Sequence, residues 1–373
     1  MKNTSENTNQ KNKSSKEKLP YVFISTGDLN GIGPEVILKT VSIPELLEIC
    51  VPVITASQKV ILYFRKNLEL NQFNFFPATD IHRLNPTKVN VLNTFESEVI
   101  VHPGAREKEI QTYTIQSLVK ATEAAASMPL NSILVTGPID KNLVKSETFP
   151  YSGHTDYFRK KFNTDALMIM VNQEIKLRVA LVTEHIPISN VSEYITPPLL
   201  ENKIRSFYQS LRRDFLLEKP RIAVLGLNPH AGDNGTIGND EAEKIIPVME
   251  KLKNEIPYLM GPFSADGFFG SGDYKKFDGI LAMYHDQGLI PFKTLSFYEG
   301  VNYTAGLPIV RTSPDHGPAY HLSGKRMSSE QSFRNAIFLG LDILKNRKLF
   351  DEMTRNPLSS LKLSHEPEIQ TGK

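Results

Sequence analysis

The chain has no tryptophan and one cysteine, Cys50. A single thiol cannot close an intramolecular disulfide or build a cysteine-based zinc site. A reducing, cytoplasmic setting is therefore expected. Charge imbalance is also missing: 43 basic against 41 acidic residues leave a net charge of +2. Part of that excess sits near the start of the chain. There is no electrostatic case for nucleic acid or a membrane surface as partner. Long apolar runs are absent as well, and none reaches the about 18 residues that a spanning helix needs. The opening MKNTSENTNQKNKSSKEKL lacks the apolar stretch of a secretory signal. Its Asn, Lys, Ser and Thr bury too little surface to offset ordering, so residues 1–19 are expected to form a disordered tail. The closing LSHEPEIQTGK reads as a second loose end, with residues 366–373 outside the folded part.

What is present is an ordinary globular composition, 40% hydrophobic and 23% charged, in 373 residues. That length suits two domains or one large α/β unit. From Tyr21 onward, strand-like and helix-like stretches alternate. YVFIST, VPVITAS, KVNVLNTF, SEVIVHPG, SILVTGP, ALMIMVN, KLRVALVTEH, RIAVLGLNPH and FDGILAMYH read as strands. GPEVILKTV, VILYFRKNLEL, residues 108–127, PPLLENKIRSFYQSLRRDFL, DEAEKIIPVMEKLKN and residues 329–346 carry helical spacing. ALMIMVN and KLRVALVTEH lie close enough to be neighbours or a hairpin. Such alternation predicts an α/β fold around a largely parallel, doubly covered sheet.

In open α/β sheets, ligands bind beyond the carboxyl ends of strands. Unusual polar residues gather there: Asp140 and Lys141, then Glu184 and His185. Asn228, His230 and Asp233 follow, and finally His285 and Asp286. Three of these ends carry a histidine in the same relative place. Neutral imidazole is the common nitrogen ligand of divalent metals. Three imidazoles with an open fourth position describe a catalytic, not a structural, site. One strand-end histidine alone is more often structural; three together make His185, His230 and His285 candidate ligands of one ion.

Two glycine-rich stretches precede helices. GDLNGIGPE resembles a dinucleotide turn, but Val36 stands where the third glycine belongs, and no Walker-type lysine follows. It reads instead as a tight strand-to-helix turn. HAGDNGTIGNDE is either an anion-holding loop or a plain surface loop. A third stretch, VNYTAGLPIVRTSPDHG, packs Asn302, Arg311, Thr312, Asp315 and His316 among strand-type residues. Arginine suits fork-shaped contact with carboxylate or phosphate, and Lys293 a point contact.

In order, GDLNGIGPE, TGPIDK, SGHTDYF, LNPHAGDNGTIGNDE, GPFSADGFF, AMYHDQGLIPFK and VNYTAGLPIVRTSPDHG resemble the 4-hydroxythreonine-4-phosphate dehydrogenase family of pyridoxal phosphate biosynthesis. The resemblance spans about residues 20–345. It implies an isocitrate/isopropylmalate-dehydrogenase-like fold, with two α/β domains around a cleft. Residues 20–149 plus 311–365 would form the first domain, and 150–310 the second, which carries most of the metal site and the dimer interface. It implies NAD or NADP, and one divalent metal (Zn, Mg or Co) on His185, His230 and His285. The ligands would be shared across a homodimer. Substrate contacts map to His154, Thr155, Lys293, Asn302 and Arg311. Lys293 and Asp286 are both candidates for the proton-transferring group, and Asp266 and Asp286 for orienting the ligands. The implied reaction oxidises 4-phosphooxy-L-threonine to a β-keto acid that decarboxylates to 3-amino-1-hydroxyacetone 1-phosphate. The alternatives are a 4-phosphothreonate or 4-phosphoerythronate dehydrogenase, and a non-catalytic phosphometabolite-binding protein. The chain departs from the family pattern at Leu29-Asn30, at Asp140 and in the GDNGTIGNDE loop, none of them at a proposed ligand.

Overall fold

The computed structural model describes residues 18–356. Residues 1–17 and 357–373 lie outside the described residues, and with them most of the expected tail and the expected C-terminal end.

Among the described residues, twelve strands form one sheet. They are β1 (Tyr21–Ser25), β2 (Val51–Ala56), β3 (Phe75–Ala78), β4 (Val89–Asn93), β5 (Ser132–Thr136) and β6 (Leu167–Asn172). Then come β7 (Leu177–Leu181), β8 (Ile222–Leu225), β9 (Leu259–Phe263), β10 (Gly279–Ala282), β11 (Val301–Ala305) and β12 (Val310–Pro314). Their spatial order is β3-β4-β2-β1-β5-β12-β11-β6-β7-β10-β8-β9. From β3 to β12 every pairing is parallel, and so is every pairing from β7 to β9. The antiparallel pairs β12–β11, β11–β6 and β6–β7 join the two parallel arms. The α/β expectation holds, and β6 and β7 are the neighbours that the sequence suggests. β2, β5 and β6 are buried along their whole length, as strands covered on both faces must be.

Helices cover the arms through apolar stripes. In the helix Pro197–Arg213, Leu200, Ile204, Phe207 and Leu211 are all fully buried. Their three- and four-residue spacing puts them on one face, each stabilising by about 1.5–3 kcal/mol on burial. Thr196 caps this helix by accepting from the Leu199 N–H, and prolines occupy its first turn. Gly279, opening β10, leaves room for Phe207: a Cβ there would stand 2.5 Å from the Phe207 ring.

Three local readings change. SEVIVHPG is not a strand. Asn30 captures its backbone instead, with Oδ1 accepting from His102 N at 2.9 Å and the Asn30 carbonyl accepting from Gly104 N at 2.8 Å. β3 and β9 were missed because Pro77 and Gly261-Pro262 carry weak strand signals. The stretch after β10 is a helix, His285–Ser296, despite Pro291 within it. Gly288 lets that helix sit down on the sheet, since a Cβ would meet Leu181, Val179 and Ala282 within about 3 Å. GDLNGIGPE is indeed a tight strand-to-helix turn. Gly27, at φ +69°, lies so close to the TGP turn that a Cβ would be 2.4 Å from the Pro138 carbonyl.

Candidate active site

The ends of β7, β10 and β8 lie side by side. His185 stands four residues past β7, His285 three past β10 and His230 five past β8. Pairing continues beyond the strands: Thr183 donates through both N and Oγ1 to the Met283 carbonyl. Gln287 then ties two ends together. Its Oε1 accepts from Met283 N at 2.7 Å, and its Nε2 donates to the Gly226 carbonyl at 2.6 Å. A carboxamide, with one donor end and one acceptor end, suits that bridge.

The rings of His185 and His285 are neighbours, 5.6 Å between centroids. Asp286 holds the His285 ring through Nδ1 at 2.7 Å, so Nε2 is the ring nitrogen left for another partner. The Nε2 of His185 accepts from the Lys141 ammonium at 2.8 Å. Burial, then Lys141 and His285, push the His185 pKa down to about 4, so its imidazole is neutral. The His185 ring thus has the protonation state of a metal ligand. His230 lies in an exposed turn where His230 to Asn234 all adopt left-handed backbone, φ 42° to 83°. Asp266 accepts from Ser264 Oγ at 2.5 Å, and that hydrogen bond holds its pKa down. Among the described residues of one chain, no three His, Cys, Asp or Glu side chains converge as a metal-holding group.

The turn bearing His230 is fastened from below by Glu241, a buried carboxylate that accepts from Leu227 N at 2.7 Å and Asn228 N at 2.8 Å. Its other oxygen accepts from Asn228 Nδ2 at 3.0 Å. The chain's own anion takes those two N–H groups.

A cavity of about 480 Å³ opens beside His185. Lys141, His154, Thr155, Glu184 and Lys203 line it; Lys293, Asn302 and Arg311 do not. Lys141 and Glu184 stand among the strand-end polar residues of the sequence but not among its proposed ligands or substrate contacts, and Lys203 was not singled out at all. Lys141 stood in the quoted TGPIDK, and Glu184 directly before a proposed ligand, so both carried a signal. Lys203 sits mid-helix and carried none. Burial lowers the pKa of Lys141 and of Lys203.

Behind the cavity lies Arg311, only 1% exposed. It donates to Thr304 Oγ1 at 2.9 Å and Thr136 Oγ1 at 2.6 Å, and its Nε has no partner. Its guanidinium also lies 5.3 Å from the Phe158 ring centroid. No carboxylate faces it among the described residues, and burial alone pushes its pKa down to about 9. His154 is held neutral by burial, by Arg311 and by Lys141, and its buried Nε2 is also unpartnered. Asn302, on β11, donates to Met168 Sδ at 3.4 Å while its Oδ1 is buried without a donor. Lys293 pairs with the Asp315 carboxylate at 3.0 Å. The arrangement sets a buried cation with an open Nε and two unpartnered buried polar atoms, His154 Nε2 and Asn302 Oδ1, near two neighbouring imidazoles, one of them already bonded to Lys141. It can hold an anion and orient it toward a cation.

The family model described as pyridoxal phosphate biosynthetic protein PdxA matches residues 48–340. The chain belongs to this family. It is 45% identical to the 4-hydroxythreonine-4-phosphate dehydrogenase of Bacteroides thetaiotaomicron, over 90% of this chain and 92% of that protein. Identity to the enzyme of that name from Prosthecochloris aestuarii is 38%, over 86% of this chain and 96% of the relative. The crystal structure of 4-hydroxythreonine-4-phosphate dehydrogenase from Klebsiella pneumoniae superposes with a TM-score of 0.74 at 30% identity, over 89% of this chain and 99% of that one. As a member of the PdxA family the chain is a dehydrogenase, and a dehydrogenase works with a nicotinamide cofactor.

Proposed function

We propose that this protein oxidises 4-phosphooxy-L-threonine with NAD or NADP in pyridoxine 5'-phosphate biosynthesis, as a cytoplasmic homodimer with one divalent metal per site. The observation that carries the reading is Arg311, a buried guanidinium with no carboxylate beside it among the described residues. An uncompensated buried cation is costly unless an anion completes it, and a phosphorylated amino acid brings two.

Arg311 and Lys293 would hold phosphate and carboxylate, with His154, Thr155 and Asn302 completing the contacts. His185, His230 and His285 would hold the metal; His185 fits as a neutral imidazole, and His285 as a ring oriented through Nδ1 by Asp286. When bound, the cation would supply Lewis-acid charge stabilisation and the nicotinamide would accept hydride. Asp286 orients His285, and Asp266 stands by His230. Lys293 or Asp286 would take the substrate hydroxyl proton. The product is a β-keto acid, which loses CO₂ because its ketone accepts the electron pair left behind. The cleft would lie between the domains 20–149 plus 311–365 and 150–310. A dimer is supported by apolar side chains in and just after the helix that begins at His285: Ile290, Phe297 and Tyr298 are each more than 60% exposed. No helix among the described residues is long and apolar enough to cross a membrane.

The test is turnover of authentic 4-phosphooxy-L-threonine, followed as NADH absorbance, beside the analogue without its amino group. His230→Ala and His285→Ala should each be folded and inactive, and mixing the two should restore part of the activity. Full activity in either variant, or in metal-stripped enzyme, would refute the metal assignment. Turnover of the analogue alone would move the substrate to a 2-hydroxy acid.

A further inference from the structure

Lys293 lies in the helix that starts with His285, and Asp315 directly follows β12. The two meet across the junction of the arms. The Lys293 ammonium donates to the Asp315 carbonyl at 3.2 Å and pairs with its Oδ1 at 3.0 Å. One residue thus fills two of the three ammonium donors and leaves the third free. Asp315 is itself held. Its N–H donates to Ser332 Oγ at 3.1 Å, and that hydroxyl donates to the Gly300 carbonyl at 2.7 Å. Gly300 is needed for this fit, because a Cβ there would stand 2.9 Å from the Phe292 ring and 3.2 Å from Asp315 Oδ2. The Asp315 side chain is only 11% exposed, against 40% for Lys293. A fixed carboxylate therefore anchors a mobile-stemmed lysine, and not the reverse.

We infer that Asp315 is a positioning residue: it sets where the free donor of Lys293 points, through a chain Gly300–Ser332–Asp315–Lys293 that spans both arms. This rests on the reading that Lys293 contacts the substrate anion. Asp315 itself touches no reacting atom. Without it, the lysine stem samples many rotamers and must be ordered by the substrate at each binding event.

Two measurements test the inference. The first is a double-mutant cycle in kcat/KM with Asp315→Ala, Lys293→Ala and the pair. Asp315→Ala should lower kcat/KM on the order of 10- to 100-fold, mostly through KM. Asp315→Asn, which keeps both acceptors, should recover part of that loss. In the Lys293→Ala background, Asp315→Ala should change almost nothing. An equal loss in both backgrounds would mean that Asp315 serves the fold alone and would overturn the inference. The second measurement needs no substrate: acetylation of Lys293 by an amine-reactive ester, followed by mass spectrometry. Lys293 should react several-fold faster in Asp315→Ala than in the unmodified protein, and an unchanged rate would overturn the tether. If the unmodified protein fails to oxidise 4-phosphooxy-L-threonine, the functional reading falls, and the acetylation rates still decide the role of Asp315.

Discussion

Two buried arginines differ in what surrounds them. Arg347, in the helix Gln331–Thr354, is 7% exposed and meets Asp214 through Nε at 2.7 Å. Its other nitrogens donate to the Tyr303 hydroxyl at 2.9 Å and the Leu307 carbonyl at 3.2 Å. Asp214 in turn accepts from Tyr303 at 2.6 Å and Ser210 at 2.7 Å. Despite burial, its partners raise the Arg347 pKa. Arg311 is buried more deeply, yet among the described residues only two threonine hydroxyls and the Phe158 ring face it, and its pKa falls. The first arginine is complete and ties three elements of the fold together. On the proposed reading, the second is completed by the substrate's anion. Burial is common to both; the counter-charge is what differs, and an open buried cation is the candidate for a functional role.

That contrast can be broken by substitution. The largest effect is expected for Arg311→Met, which should lower kcat/KM by about 100- to 1000-fold, the worth of a desolvated charge contact. The same variant should unfold at an unchanged or higher temperature, because an uncompensated buried charge is removed. Kinetics and thermal melting on one sample check both halves, and a strongly destabilised Arg311→Met would mean the two arginines are alike. Next comes Arg347→Met. It strands the buried Asp214 and should cost about 3–5 kcal/mol in denaturant unfolding, with turnover per folded molecule unchanged. The smallest effect belongs to Arg213, which forks onto Asp351 with both groups about 40% exposed. Arg213→Ala should cost less than about 1 kcal/mol and fade in high salt. A larger loss would show that geometry outweighs burial at this surface.

The fold was largely legible along the chain. Continuous apolar runs such as SILVT and LMIMV could only be strands covered on both faces, and the stripe Leu200, Ile204, Phe207 and Leu211 only a helix. SEVIVHPG misled because its alternation says nothing about the distant Asn30 that takes its N–H groups. In the site, His185 and His285 announced themselves as polar residues closing apolar strands. Lys203 did not, since a lysine on a helix usually faces water and only packing shows that this one is buried. Asp315 was quoted within a motif, but its pairing with Lys293, 22 positions away, is a contact and not a pattern.

The sequence by itself determined the α/β class, most of the element types and a set of candidate site residues, because periodicity and side-chain identity are local properties. The tertiary structure decided which charges are neutralised and which are left open. A counter-charge is supplied by whatever the fold brings near, and the low dielectric of the interior makes its presence or absence count.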